Sequence, residues 1–242
     1  MVSRARIPED ARPTTEKVRS IFSTIAPEYD RFNKLSSFGI DRSWRRRTVR
    51  LARIGRSSHV LDLAAGTGDL TMAIAHLGRP SSILSTDFVP EMLEVGKAKA
   101  AAYEGPTEIG FAVVDAQDLP FSDESYDVVT VGFGVRNLPD RAANFREVYR
   151  VLKPAGRYVV LEFSRPPFPP FRALYHFYIR TVIPALGGKL TGDRPAFEYL
   201  NKSIEAFPGQ VALAGELHKA GFGEVMWHNL TFGIVAVHVA VK

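Results

Sequence analysis

From His59 onward the chain alternates short apolar runs with longer amphipathic stretches, the pattern of strands interleaved with helices. Residues 59–63, 82–86, 109–113, 126–131 and 157–163 read as strands. Residues 69–77, 90 to about 102 and 141–152 read as helices, the second with a proline in its first turn and the third capped by Asp140. Such alternation predicts a parallel sheet covered on both faces. After Ser164 it is interrupted. Residues 166–188, rich in Pro, Phe, Tyr and Leu, predict a loop followed by apolar helices, and residues 207–220 a further helix. Residues 225–227 and 234–241, separated by a short turn, predict an antiparallel strand pair.

Ahead of His59 the period is helical throughout. Val18, Ile21, Phe22 and Ile25 recur at three- and four-residue spacing, Pro27 and Gly39 punctuate the segment, and Trp44, Val49 and Leu51 suggest another helix. Residues 1–13 read as a frayed leader. At 242 residues the chain suits one α/β domain. No apolar run reaches the ~18 residues that span a bilayer, and the polar start lacks a signal-peptide pattern. The absence of cysteine excludes disulfides, thiolate metal sites and cysteine nucleophiles, and fits a reducing cytoplasm.

The net charge of +5 is concentrated towards the N-terminus, in Arg4, Arg6, Arg12, Lys17, Arg19, Arg42, Arg45, Arg46, Arg47, Arg50, Arg53 and Arg56. Two readings stand side by side: the solvated face of an amphipathic helix, or contact with anionic lipid headgroups. Nucleic acid ranks last, because no nucleic-acid motif accompanies the charge.

The segment Val60-Leu61-Asp62-Leu63-Ala64-Ala65-Gly66-Thr67-Gly68-Asp69-Leu70 is a strand, a small-residue turn and a helix start. Such a turn lets backbone approach a ligand and points helix N–H groups at it. A dinucleotide fingerprint would have a third Gly or Ala where this chain has Thr71. The flanking Asp62 and Asp69 would repel a pyrophosphate. They suit the ammonium and sulfonium charges of S-adenosylmethionine, although Asp69 also fits a simple helix cap. Asp87, 21 residues after Gly66 at a strand end, can accept from both ribose hydroxyls, and Asp115-Ala116 after the next strand can read the adenine edge.

With these residues the chain resembles the quinone-ring C-methyltransferases of ubiquinone and menaquinone biosynthesis, among the class I S-adenosylmethionine-dependent methyltransferases. The resemblance runs from Val18 to Lys242. Its narrow motifs are Ala26-Pro27-Glu28-Tyr29-Asp30-Arg31-Phe32-Asn33, Phe133-Gly134-Val135-Arg136-Asn137 and Leu161-Glu162-Phe163-Ser164. It implies a Rossmann-like α/β fold with a mainly parallel seven-stranded sheet, an antiparallel C-terminal pair and helices on both faces. It implies a helical cap over the active site (1–56) and a cofactor domain (57–242) with a helical insertion at about 166–206. Cofactor contacts are expected at Asp62, Gly66, Thr67, Gly68, Asp87, Asp115, Ala116 and Gly132, with no metal. The chain departs from the family at Gly132, where relatives often carry Ser, at Asp41 in place of His, and at Ala155 and Phe232, where Gly is usual.

The implied reaction is C-methylation of a prenylated quinol, demethylmenaquinol to menaquinol. A ring carbon becomes nucleophilic once an adjacent hydroxyl ionises, so the site needs a group that stabilises a phenolate. Arg136 is the leading candidate; it lies after the fourth strand, and its guanidinium stays charged at working pH. Asn137 could orient the same oxygen, and Tyr29 could close the site from the N-terminal helices. A plain salt bridge from Arg136 to Asp140 or another acid is the structural alternative. The scattered histidines receive no chemistry. Residues 168–179 read as helix core or as a lid over a prenyl tail. The expected partners are the quinol and a membrane surface, at the inner face of which a cytoplasmic enzyme would work peripherally; a homodimer is left open. An O- or N-methyltransferase, a nicotinamide-dependent oxidoreductase and an inactive binding module remain as alternatives.

Overall fold

The computed structural model describes residues 15–191 and 194–242. The leader at 1–13, with Arg4, Arg6 and Arg12, lies outside the described residues. Seven strands form one sheet: β1 (His59–Leu63), β2 (Ser82–Asp87), β3 (Glu108–Val113), β4 (Tyr126–Gly132), β5 (Leu152–Phe163), β6 (Glu224–Leu230) and β7 (Val235–Val241). Their order is β3-β2-β1-β4-β5-β7-β6, with the first five parallel and β7 antiparallel to both its neighbours. The strand order reverses direction between β1 and β4, and the crevice outside the carboxyl ends of such strands is where open α/β sheets bind ligands.

Both faces of the central strands are buried, which is why they read as near-continuous apolar runs. On one face Leu61, Leu63, Val129, Val131 and Val160 pack with α5 (Arg141–Val151) and α9 (Gln210–Lys219). On the other, Val60, Val128, Val159 and Leu161 pack with α2 (Asp41–Ala52) and α3 (Asp69–Leu77). The regular pairing of β5 with β4 runs from Arg157; before it, Ala155 adopts a left-handed conformation (φ +62°).

A third apolar cluster stands over the carboxyl ends of the strands. It joins Ile25, Ala26 and Phe32 of α1 (Thr15–Ser36) to Val89 and Met92 at the start of α4 (Pro90–Ala100). The rest comes from the insertion: Tyr175 of α6 (Pro169–Phe177), Ile179 in the π-helical turn Tyr178–Val182, Ile183 of α7 (Ile183–Thr191), and Phe197 and Ile204 of α8 (Arg194–Ala206). The expected break at Pro27 is absent, because α1 runs unbroken from Thr15 to Ser36. An interior proline costs a helix about 3 kcal/mol. Val18, Ile25, Ala26 and Phe32, all at most 5% exposed, bury enough apolar surface on both sides of the position to exceed that. Gly39 (φ +72°) does end the segment, and its N–H caps the carbonyl of Lys34. Within the described residues 15–56, α1 belongs to the roof, whereas α2 packs on the sheet.

Candidate active site

The turn after β1 is built to keep its backbone close to a ligand. Ala64, Gly66 and Gly68 all have positive φ, and a Cβ built on Gly66 meets no atom within 4 Å. Several of the turn's amides are already engaged: Ala65 donates to the Thr86 carbonyl, Gly66 to Asp87 Oδ2 at 2.8 Å, and Gly68 to the Ala65 carbonyl. This bonding takes three amides out of any pyrophosphate cradle at the turn. It also fixes Asp87, whose Oδ1 accepts from Val89 N at 2.9 Å. Each oxygen retains acceptor capacity for a diol. Burial pushes the Asp87 carboxyl above its usual range, with the backbone N–H groups opposing. Asp115 is exposed and accepts from Gln117 N, and the Ala116 carbonyl is held by Asn144. Gly66, Thr67, Asp87, Asp115, Ala116 and Gly132 all line one cavity of about 630 Å³. A Cβ on Gly132 would stand 3.2 Å from Leu70 Cδ2, so a serine there would require Leu70 to move.

Two expected cofactor contacts do other work. Asp62 faces away from the cavity, because strand alternation points its side chain onto the α3 face. There it pairs in register with Ser85 and Thr130, and its carboxylate accepts from Thr71 and Thr130, both at 2.6 Å. It is fully buried, and desolvation raises its pKa to about 6. Gly68 does not line the cavity; it lets α3 approach α4, since a Cβ there would sit 3.3 Å from the Gly96 Cα. Asp69 lines the cavity, yet its charge is already met by Lys99 (2.5 Å) and by Arg45 (3.1 Å). The expected attraction between Asp62 or Asp69 and a cationic ligand is therefore replaced by internal pairing. The same network ties the roof to the turn: Lys99 also binds Asp30 of α1 at 2.5 Å, and Thr67 donates to Asp30 at 2.6 Å.

The other half of the cavity is largely apolar, with one polar end. Gly134 passes so close to the cofactor turn that a Cβ would lie 2.6 Å from that of Ala64, and the chain then turns through Val135–Asn137. This buries Arg136. Its Nη1 donates to Glu162 Oε1 at 2.9 Å and to the Phe133 carbonyl, and the guanidinium lies over the Phe163 ring. The structural alternative for Arg136 is thus realised in Glu162 of β5, while Asp140 caps α5 through Ala143 N. Arg136 nevertheless lines the cavity, with Tyr29, Asn137, Tyr175 and Tyr199. Burial raises the phenols of Tyr29, Tyr175 and Tyr199, that of Tyr199 to about 12, and the Arg136 charge opposes each rise. All three stay protonated at neutral pH and serve as hydrogen-bonding groups rather than bases. Tyr199 lies within 3.5 Å of Asn137 Oδ1.

Sequence reasoning missed Glu162, Tyr175, Tyr199 and Asn201. Glu162 stands inside a motif already singled out, but its partner is 26 residues away. Tyr175 lies within an apolar stretch, and the α8 residues carry no local signal.

The family model described as the ubiE/COQ5 methyltransferase family matches residues 11–242. The chain belongs to that family. It is 44% identical to the ubiquinone/menaquinone biosynthesis C-methyltransferase UbiE of Geotalea daltonii, over 94% of this chain and 97% of that one. With the demethylmenaquinone methyltransferase of Thermus thermophilus it shares 45% identity over 90% and 98% of the two chains. Among solved structures, an S-adenosylmethionine-dependent methyltransferase of Thermotoga maritima matches with a TM-score of 0.65 at 18% identity, covering 92% of this chain and 99% of that one. A phosphoethanolamine N-methyltransferase of Haemonchus contortus in complex with S-adenosyl-L-methionine matches at 0.58 and 15%, covering 80% and 50%. These distant structures share the fold. As a member of the family the chain is a C-methyltransferase whose cofactor is S-adenosylmethionine. The open space over Gly66 and the tethered Asp87 carboxylate fit that cofactor.

Proposed function

We propose that the chain methylates a ring carbon of a prenylated quinol, converting demethylmenaquinol into menaquinol. One observation carries this reading: a guanidinium buried at the polar end of the largely apolar half of the cavity, on the carboxyl-end side of the sheet beside the cofactor turn. Gly66, Thr67, Asp87, Asp115, Ala116 and Gly132 would hold the cofactor, with Asp87 accepting from the ribose hydroxyls. S-adenosylmethionine, when bound, supplies an electrophilic methyl group on a sulfonium. Arg136 faces the hydroxyl next to the acceptor carbon and favours its ionised form, which places electron density on that carbon. Glu162 fixes the guanidinium in one orientation. Asn137 positions the same oxygen, and Tyr29 closes the cavity from α1. Transfer would break the methyl–sulfur bond and leave a neutral thioether, after which the ring carbon would lose its own proton to water and regain aromaticity. The names of the Geotalea and Thermus relatives support a quinone-pathway substrate.

A lipid-soluble substrate also calls for access from a membrane. No helix among the described residues is long and apolar enough to cross one. Phe38, Leu174 and Phe177, each more than 60% exposed, belong to the cavity lining, and Phe232 (80% exposed) stacks edge-on with Phe171 beside them. The Tyr178 hydroxyl binds the Ser36 carbonyl, which joins α6 and its following turn to the α1–α2 corner carrying Phe38. Arg42, Arg46, Arg47 and Arg50 are exposed on α2, whereas Arg45 is buried in its ion pairs. Apolar rim and basic helix together suit shallow contact with an anionic lipid surface. Flotation with anionic vesicles should be strong at low salt and weak at high salt; no binding at low salt would contradict membrane contact. The reaction itself is tested by supplying demethylmenaquinol and methyl-labelled cofactor, with labelled menaquinol as the expected product.

A further inference from the structure

Buried polar atoms are nearly always hydrogen-bonded, so those without a partner call for an explanation. Among the described residues five buried side-chain polar atoms lack one: Arg136 Nε, Tyr175 OH, His176 Nδ1, Asn201 Oδ1 and His238 Nδ1. Arg136, Tyr175 and Asn201 line the cavity; the two histidines do not. Those three residues come from separate elements, the turn after β4, α6 and α8, and each is only 6% exposed. Their convergence on one cavity marks a site completed by a ligand.

The hydrogen-bonding type of each atom describes that ligand. A guanidinium N–H only donates, a side-chain amide oxygen only accepts, and a phenol can do either. A ring that satisfies all three must offer an acceptor to Arg136 and a donor to Asn201. A quinol with one hydroxyl ionised and the other intact offers both. A quinone has two carbonyl acceptors and no donor, so it leaves the Asn201 oxygen buried and unmet. Burial keeps the Tyr175 phenol protonated, so it can donate to a ring oxygen or accept from a hydroxyl.

We infer that Asn201 reads the redox state of the substrate ring and admits the reduced dihydroxy form in preference to the quinone, while Tyr175 holds either form. The inference rests on the quinol reaction proposed above and adds one specificity residue, Asn201, and one positioning residue, Tyr175, from the roof. A site built to bond a hydroxyl discriminates strongly against an analogue lacking it, because its own polar group is then left unpaired.

The test is anaerobic binding of 1,4-dihydroxynaphthalene and of 1,4-naphthoquinone to the full chain with cofactor present. The chain has no cysteine for the quinone to alkylate. The wild-type protein is expected to favour the dihydroxy ring by about 10-fold or more. Asn201→Leu should bring that ratio close to one, with cofactor affinity unchanged. Tyr175→Phe should weaken both rings together, because its hydroxyl can serve either. If Asn201→Leu does not fold, Asn201→Ser carries the same expectation. A wild-type protein that methylates demethylmenaquinol but shows no preference, or a folded Asn201 variant that keeps the full preference, overturns the inference and leaves the proposed reaction standing. A wild-type protein that binds neither ring and methylates no quinol overturns both.

Discussion

Arg136 and Glu162 form an ion pair in which each side chain is 2% exposed, with 2.9 Å between Nη1 and Oε1. Glu162 also accepts from the backbone N–H groups of Arg136 and Phe163, so it anchors the turn as well as the guanidinium. Burial raises the Glu162 carboxyl, and the adjacent Arg136 charge opposes that rise.

Stability and chemistry can be separated at this pair. Removing Arg136 alone strands a buried carboxylate, at a cost of about 3–5 kcal/mol, whereas replacing both partners with apolar groups is often close to neutral. Arg136→Met should therefore lower the melting temperature sharply, and the Arg136→Met/Glu162→Leu double variant should recover only part of the loss, because the Arg136 and Phe163 N–H groups are left without their acceptor. Turnover should stay at least about 100-fold down in both, with cofactor affinity in the double variant near wild type. Recovery of turnover along with stability would make the pair scaffolding.

The two glycines of the cofactor turn should respond differently to alanine. At Gly66 the new methyl enters open space that the cofactor would occupy, so cofactor affinity should fall at least about 10-fold while folding loses about 1–2 kcal/mol from the left-handed backbone. At Gly68 the methyl meets the Gly96 backbone at 3.3 Å, so the larger loss should be in folding. Cofactor titration and thermal melts of the two variants separate these outcomes.

Asp62 gives a pH signature. Its folded pKa, about 6, lies above the unfolded value near 3.8. The stability it contributes is complete below the unfolded value and is lost as pH rises through about 6. At about 1.4 kcal/mol per unit, ionising it costs the folded state up to about 3 kcal/mol. Asp62→Asn should accordingly raise the melting temperature at pH 8, and the gain should shrink towards pH 4. Unchanged stability across that range would contradict the burial argument.

Ala155 and Phe232 both adopt positive φ, at +62° and +55°. The left-handed region costs an L-residue about 1–2 kcal/mol, partly offset by the entropy that glycine loses on folding. Ala155→Gly, far from the cavity lining, should raise the melting temperature by about 2 °C with turnover unchanged. Phe232→Gly should relieve similar strain but remove an exposed ring from the proposed lipid-facing rim.

The parts legible in the sequence were those written locally. Strand-helix alternation predicts the parallel sheet, and the acids after β2 and β3 stand at strand ends that any α/β sheet points at its ligand. The direction of Asp62 was not legible: the turn's spacing brings it near, but the parity of β1 sends its side chain under α3 onto Thr71 and Thr130. Nor was the neutralisation of Asp69, which depends on Lys99 thirty residues away and on Arg45 of α2. The polar end of the cavity is assembled from β5, α6 and α8, and pairings at that separation leave no periodic trace. Pro27 misled because local propensity yields to the packing of the roof on either side of it.

Carbon methylation of a quinol ring is tested by the position of an isotopic label in the product. Demethylmenaquinol and methyl-deuterated S-adenosylmethionine are incubated anaerobically with the protein, and the product is fragmented by mass spectrometry. One deuterated methyl group on the naphthoquinol ring carbon is expected, with both oxygens still free to be oxidised to the quinone. Label on an oxygen, or no label on this substrate while another small molecule is methylated, would contradict it.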